Sequence, residues 1–310
     1  MTKTAMLFPG QGAQTPGMGR DFADRFPAAA RVFAEANDAL GYDLRKLCFE
    51  GPAEELTLTT HAQPGIFACS AAVATVLREQ GKLADVVAAA GLSLGEYTAL
   101  WFAGAYSFAD GLRLVKRRGA AMQAASDRPR SGMVSLVGAD RELAQKVADQ
   151  AREYGVLVVA NLNAPGQTVL SGDLEACGRV PAAAKALGVR RAIPLQVAGA
   201  FHSPLMAPAQ AELERALADV PMKDPEIPVV SNVTAAPVRT AAEARSLLSR
   251  QVTSPVRWEE SMHALHKLGC NRFLEPAPGA VLCGLAKKNL PEAITASFDK
   301  VEAMSAEQGA

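Results

Sequence analysis

The sequence predicts an α/β fold in which a large domain with a mostly parallel sheet carries a smaller inserted unit. Short apolar runs typical of strands alternate with longer helical runs along most of the chain, and the order of elements changes in one internal segment. A chain of 310 residues, 49% of them hydrophobic, can form one large core with an inserted unit. This composition excludes disordered and fibrous proteins.

The first part of the chain follows the strand and helix alternation of a parallel sheet. Residues 4–8 and 86–90 are short apolar runs that end at proline or glycine, so we predict strands there. Predicted helices lie at 21–40, with a break or kink near Pro27, and at 63–79, 94–102 and 108–125. This order fits a sheet that is covered by helices.

Residues 131–197 have a different order of elements. Strands are predicted at 133–137, 156–161, 168–171 and 191–197, and helices at 141–154 and 174–187. This βαββαβ order is typical of a ferredoxin-like unit. Because the preceding segment 126–130 is polar and contains a proline, we place the small domain at 129–198 and the large domain at 1–128 and 199–310.

The chain after the small domain returns to the α/β pattern. Helices are predicted at 209–218 and 259–268, and strands at 227–230 and 272–274. The small domain therefore interrupts the large one.

Charge and cysteine usage narrow the functional classes. Lys plus Arg and Asp plus Glu number 32 each, so no strong field attracts nucleic acid or an anionic membrane. Five cysteines without C-x-x-C spacing predict buried reduced thiols rather than disulfides or a zinc cluster. The sequence shows no secretion signal and no apolar segment of membrane-spanning length, so we expect a cytoplasmic protein.

The sequence GLSLG at residues 91–95 directly follows the second predicted strand and is typical of a nucleophile elbow. In such an elbow a tight turn raises the hydroxyl of Ser93, and glycine flanks it because side chains there would collide with the neighbouring strand and helix. This motif makes the expected large domain α/β-hydrolase-like. The alternative is an ordinary βα turn in which Ser93 only caps the helix at 94–102.

A serine nucleophile needs a base, and the chain contains four histidines. His202 follows the last strand of the small domain, and because clefts form at domain junctions we assign it the role of general base and acid. A helix cap is its alternative role. His61, at a predicted helix start, is expected at the surface. His263 and His266 share one helical face, but no acidic or cysteine partner completes a metal site, so they too are expected at the surface.

Two further features bear on the ligand. A glycine-rich turn at 8–14 stands at the carboxyl end of the first strand, where ligands bind in open α/β sheets. Its spacing matches no phosphate-loop motif, so a second backbone donor for an oxyanion is the better interpretation. Arg118 lies on the helix after that of the elbow, where a guanidinium can bind a substrate carboxylate; a solvated surface arginine is the alternative.

These motifs resemble the malonyl-CoA:acyl-carrier-protein transacylase family of fatty-acid synthesis, which is related to polyketide acyltransferases. The resemblance covers nearly the whole chain in order. Its blocks are FPGQG at 8–12, GLSLGEY at 91–97, Arg118 with Gly119, FHSPLM at 201–206, and Gln251 with PVRW at 255–258.

The resemblance implies a two-step acyl exchange. Ser93 would take the malonyl group from malonyl-CoA, with His202 as its base and the backbone carbonyl of Gln251 orienting the histidine. The phosphopantetheine thiol of acyl carrier protein would then take the malonyl group from the ester. The expected partners are a coenzyme A thioester and acyl carrier protein, the protein is expected to be a monomer, and no cofactor or metal is expected beyond the substrate.

The resemblance also implies the substrate-binding residues. The amides of Gln11 and Leu94 would form the oxyanion hole, Arg118 would pair with the free carboxylate of malonate, and Gln63 would line the pocket. The acidic carrier protein would meet a local basic surface. Its candidates, against the alternative of ordinary solubilising charges, are Arg190, Arg191, Lys287 and Lys288.

The sequence departs from the family pattern at Leu92, where histidine is usual, and at Ala277, where glycine is usual. The first departure bears on acyl preference or pocket polarity. Phe201 before His202 resembles the malonyl-selective form of the motif, so a methylmalonyl preference is not expected. A serine-dependent acyl-thioester hydrolase and a non-catalytic scaffold remain the alternative functions.

Overall fold

Two separate sheets organise the chain. The computed structural model describes residues 2–127 and 130–306, and in it a six-stranded sheet lies beside a four-stranded one. The predicted boundary between residues 128 and 129 lies outside the described residues. The predicted fold class, mixed α/β with a mostly parallel sheet and a second antiparallel unit, is confirmed.

The strands and helices are numbered in chain order. The strands are β1 (Lys3–Phe8), β2 (Val86–Gly91), β3 (Ser131–Val137), β4 (Leu157–Ala164), β5 (Gln167–Asp173), β6 (Arg191–Pro194), β7 (Val229–Val230), β8 (Pro237–Val238), β9 (Cys270–Pro276) and β10 (Ile294–Phe298). The helices are α1 (Arg20–Arg25), α2 (Pro27–Leu40), α3 (Leu44–Glu50), α4 (Ala53–Thr57), α5 (Thr59–Glu79), α6 (Leu94–Phe102), α7 (Phe108–Ser126), α8 (Arg141–Ala151), α9 (Leu174–Ala186), α10 (Ala207–Asp219), α11 (Ala241–Gln251), α12 (Trp258–Lys267), α13 (Val281–Asn289) and α14 (Ala303–Ala306).

The large sheet has the strand order β10-β9-β1-β2-β7-β8, and only the β7–β8 pair is antiparallel. Strand β1 is buried on both faces, because its side chains alternate between two cores. Met6 and Phe8 pack on one side, and Ala5 and Leu7 on the other. Because β1 and β2 are parallel neighbours, their carboxyl ends meet at one edge of the sheet, where the glycine-rich turn and the elbow lie.

The small sheet is antiparallel, with the order β4-β5-β3-β6. Helices α8 and α9 cover one of its faces. Its other face packs against the large domain, where Met133 and Val169 share a core with Phe201. The segment before α12 pairs with β4: the Val256 amide donates to Ala160 O at 2.8 Å, and the Leu162 amide donates to Val256 O at 2.9 Å.

Several boundaries differ from the sequence prediction. The break predicted near Pro27 in the helix at 21–40 is confirmed, since Phe26 is extended and Pro27 starts α2. The helix predicted at 141–154 ends at Ala151, and a short 3₁₀ turn follows. Strand β6 ends at Pro194 rather than at residue 197. Elements that the sequence prediction missed are α3, α4, α11, α13, α14, β8 and β10.

The cysteine prediction is confirmed, since all five cysteines are buried and free. In the part of the chain that the structure describes, no helix is long and apolar enough to cross a bilayer.

Candidate active site

Ser93 sits in a strained turn between β2 and α6. Its backbone has φ 53° and ψ −102°, a region that few non-glycine residues adopt. A β-carbon on Gly91 would collide with the Gly95 backbone, and one on Gly95 would collide with the carbonyl of Phe8. The elbow therefore requires both glycines. The hydroxyl makes no capping bond to α6, so the interpretation of Ser93 as a mere helix cap is wrong.

The structure brings His202 to this hydroxyl. The distance from Ser93 Oγ to His202 Nε2 is 2.8 Å, although the two residues are 109 positions apart. His202 Nδ1 lies 2.9 Å from the carbonyl oxygen of Gln251 and 3.2 Å from that of Ser254. Two carbonyl acceptors place the proton on Nδ1, which leaves the Nε2 lone pair facing the serine.

His202 is 3% exposed, and this burial, followed by the positive charge of Arg118, lowers its pKa to about 4. The imidazole is therefore neutral near pH 7 and able to accept the serine proton. Within the described part of the chain, two backbone carbonyls rather than an acidic side chain hold the imidazole in place.

Arg118 lies beside Ser93 and is 1% exposed, so the alternative of a solvated arginine is wrong. Its Nη2 donates to Ser93 Oγ at 3.0 Å and to Gln251 Oε1 at 2.9 Å, and its Nη1 donates to Gln63 Oε1 at 2.8 Å. Its guanidinium carbon is 5.1 Å from the centre of the Tyr97 ring.

Arg118 is a buried cation on which the carboxyl group of Glu96 acts through space, without direct contact. Within residues 2–127 and 130–306 it forms no ion pair with a carboxylate, and its Nε has no hydrogen-bond partner. Burial lowers the pKa of Arg118, yet a guanidinium stays protonated in proteins. Because an unpaired buried charge is costly, the site favours an anionic group next to Ser93.

The other predicted site residues lie around this centre. Gln11 lines the cleft, and Leu94 is the first residue of α6, where a backbone amide has no intrahelical acceptor. Gln251 contributes its carbonyl to His202 and its side chain to Arg118. Gln63 has no exposed surface and lies beneath Arg118, so it supports the guanidinium rather than facing the cleft as expected.

Two buried polar residues of the site were missed by the sequence analysis. Asn232 follows β7; its Oδ1 accepts from the Ser93 amide at 2.7 Å, and its Nδ2 donates to Gly91 O at 2.8 Å. Glu96 Oε2 accepts from Gln251 Nε2 at 2.6 Å and from the Asn232 amide at 3.2 Å. A polar residue at the carboxyl end of a predicted strand was the available signal for Asn232. Glu96 directly follows the elbow motif at 91–95, and no role was assigned to it.

Ser93 faces a cleft of about 270 Å³ between the two sheets. Leu92 and Phe201 contribute apolar surface from the large domain, and Met133, Asn161 and Val169 line the opposite wall from the small sheet. The lining is therefore mostly apolar around a few polar groups, as in small-molecule sites.

The remaining candidates lie outside this cleft. The four basic candidates for a carrier-protein surface are exposed, and Lys288 donates to Gln167 Oε1 at 3.0 Å. His263 and His266 are exposed, and His61 Nδ1 lies 3.1 Å from Glu55 O. Over the described ranges, no group of three His, Cys, Asp or Glu side chains could hold a metal ion.

Comparisons with known proteins agree with one another. The profile of the family described as "Acyl transferase domain" matches residues 5–307. The malonyl CoA-acyl carrier protein transacylase of Bacillus subtilis is 45% identical over 289 residues, which are 93% of this chain and 90% of that protein.

Two solved structures share the fold. The crystal structure of an acyl carrier protein S-malonyltransferase from Vibrio cholerae has a TM-score of 0.95 and 36% identity, and the match covers 99% of this chain and 100% of that one. A malonyl-transacylase in complex with its type II PKS acyl-carrier protein has a TM-score of 0.94 and 38% identity, with 98% of each chain covered.

Proposed function

This chain belongs to the acyl transferase domain family, and we infer that it is an acyl-carrier-protein S-malonyltransferase, which moves a malonyl group from malonyl-CoA to acyl carrier protein. The single observation that carries the substrate class is the buried, unpaired guanidinium of Arg118, 3.0 Å from the hydroxyl of Ser93. It supplies a place for the free carboxylate of a malonyl group beside the acylated atom.

In the first half-reaction, Ser93 Oγ attacks the thioester carbonyl while its proton passes to His202 Nε2. The bond between Oγ and the carbonyl carbon forms, and the oxyanion of the tetrahedral intermediate accepts from the amides of Gln11 and Leu94. The bond from carbon to sulfur then breaks, and His202 returns the proton to the departing thiolate of coenzyme A. The product is a malonyl ester on Ser93.

The second half-reaction reverses these steps with a different thiol. His202 takes the proton of the phosphopantetheine thiol of acyl carrier protein, and the thiolate attacks the ester carbonyl. The ester bond breaks, and Ser93 Oγ recovers the proton from the imidazole. The neutral state of His202 supports this role, since the same group must accept and return one proton in each half-reaction.

Arg118 favours malonyl over neutral acyl groups. A malonyl carboxylate supplies the charge that the guanidinium lacks, whereas an acetyl group leaves the buried cation unpaired. A hydrolase is not favoured, because discharge of an acyl group to water makes no use of a carrier protein, and a structural relative was solved with its carrier protein bound. The proposal keeps two expectations, a monomer and a cytoplasmic location. Only the second is supported by the free, buried cysteines, which suit a reducing compartment.

Mass spectrometry of the intact protein tests this function. After mixing with malonyl-CoA, the wild type should carry one added malonyl group, the Ser93→Ala variant none, and acyl carrier protein should remove it. Arg118→Ala should lower malonyl transfer roughly ten- to hundredfold, because hydrogen bonds to a charged partner are lost, and it should raise acetyl transfer. Release of free malonate at the same rate with and without carrier protein would favour the hydrolase.

A further inference from the structure

Glu96 is a buried carboxyl group that the reaction described above does not use. It is 2% exposed on α6, three positions after the nucleophile. Its Oε2 receives one hydrogen bond from the Gln251 side chain and one from the Asn232 amide. Neither the Ser93 hydroxyl nor His202 is among its hydrogen-bond partners. An effect of Glu96 on the reaction therefore passes through these neighbours or through its charge, which acts on Arg118.

The Gln251 amide has one orientation that satisfies all of its neighbours. Its Nε2 donates to two acceptors, Ser93 O at 2.9 Å and Glu96 Oε2 at 2.6 Å. Its Oε1 accepts from Arg118 Nη2 at 2.9 Å. If the amide rotated by half a turn, its NH₂ group would face the guanidinium and its oxygen would face two acceptors, so every contact would be lost.

We propose that Glu96 is a positioning residue for acyl selectivity, which fixes the Gln251 amide and through it holds Arg118 in the orientation that receives the malonyl carboxylate. This inference rests on the proposed function. Without the Glu96 oxygen, Gln251 Nε2 keeps only the Ser93 carbonyl, and the amide loses the strongest constraint on its orientation. Arg118 then turns within its pocket, and the carboxylate meets a misplaced guanidinium.

The hydrogen-bonding ability of Glu96 matters here more than its charge. Burial raises the pKa of Glu96 to about 7, against the opposing effect of hydrogen bonds from Gln251 and Asn232. Because a protonated carboxyl still offers one oxygen as an acceptor, both protonation states can hold the Gln251 amide. A glutamine at this position retains such an oxygen, whereas a methionine of similar length does not.

The test compares Glu96→Met with Glu96→Gln in full carrier-protein assays with malonyl-CoA and with acetyl-CoA. We expect Glu96→Met to lower kcat/KM for malonyl-CoA roughly tenfold, mostly through KM, and to change acetyl transfer far less. Glu96→Gln should recover most of the malonyl-to-acetyl ratio. Equal losses for both substrates would mean that Glu96 has only a structural role, and the proposal would be wrong.

A double-mutant cycle separates positioning from stability. In an Arg118→Ala background, Glu96→Met should not lower the malonyl-to-acetyl ratio further, because the group it positions is already gone. A full additional loss would overturn the proposal. Glu275→Met is the matched control: this second buried carboxyl accepts from the amides of Leu282 and Cys283 and has no contact with Gln251 or Arg118. Glu275→Met should lower the free energy of unfolding and leave the malonyl-to-acetyl ratio unchanged.

A second variant keeps the test decisive if Glu96→Met does not fold. Gln251→Met removes the side-chain link and keeps the backbone carbonyl that holds His202, so it should lower the same ratio. A wild-type ratio in Gln251→Met would overturn the proposal. Failure of the wild type to form a malonyl-enzyme would refute the proposed function instead, whereas a malonyl-selective wild type with unaltered variants would refute only the role of Glu96.

Discussion

Replacing Asn232 by alanine should loosen the turn that carries the nucleophile. The change leaves the Ser93 amide and the Gly91 carbonyl buried without their partners, at 2.7 and 2.8 Å in the native protein. Each such group costs about 1–3 kcal/mol, and the strained backbone of Ser93 then lacks a restraint. We expect the free energy of unfolding to fall by about 2–6 kcal/mol. A shift of about 1 Å in the hydroxyl would slow acylation about a hundredfold.

Urea unfolding measures the stability of this variant, and the time course of malonyl-enzyme formation by mass spectrometry measures acylation. Asn289→Ala is the control, since Asn289 is also buried and its Nδ2 donates to Asn163 O and to Leu285 O, both at 2.9 Å. It should lose stability of the same order and acylate at the wild-type rate. If Asn232→Ala loses less than about 1 kcal/mol and acylates normally, the turn does not depend on Asn232.

Two further predictions concern pH and the carrier protein. Because the pKa of His202 is about 4, acylation of Ser93 should stay level as the pH falls from about 7 to about 5 and decline only below, where the base becomes protonated. Arg118→Met removes a positive charge and should move that decline to higher pH. A pH series of burst rates measures the midpoint, and a wild-type midpoint near the ordinary histidine value of about 6.5 would contradict the lowered pKa of His202. Glutamate at both Lys287 and Lys288, or at both Arg190 and Arg191, should raise KM for acyl carrier protein and weaken its salt dependence without altering malonyl-enzyme formation. Unchanged KM values in steady-state assays would remove these residues from the docking surface.

The sequence predicted those parts of the fold whose pattern is long or bounded by clear signals. Strands β1 and β2 and helices α5 and α7 are of this kind. Helices α3 and α4 have 7 and 5 residues, too few turns for a periodic pattern. Helix α11 was missed although Thr240 and Glu243 form a readable capping signal at its start, where the Thr240 side chain accepts from the Glu243 amide. Helix α13 has no cap of its own, because the carboxylate of Glu275 in another element accepts from its first amides.

The residues of the site also divide into those that local motifs predict and those that depend on tertiary contacts. Motifs placed Ser93, His202 and Arg118 at strand ends and helix faces, but helical position alone leaves open whether an arginine faces solvent or core. Its burial depends on which helices pack together, which is a tertiary property. The partners Asn232 and Glu96 come from segments 136 positions apart. Their roles depend on contacts between these segments, which a local sequence pattern does not predict.

The pairing of Val256 with strand β4 ties the small sheet to the segment that precedes α12. Its two backbone hydrogen bonds lie only a few residues from the carbonyls that hold the imidazole of His202. Moving the small sheet outward to admit a bulkier acyl branch would break both bonds, at about 0.5–1.5 kcal/mol each. It would also displace the carbonyls that orient His202. We therefore expect that larger acyl groups can be accommodated only by substituting smaller side chains along the walls of the cleft.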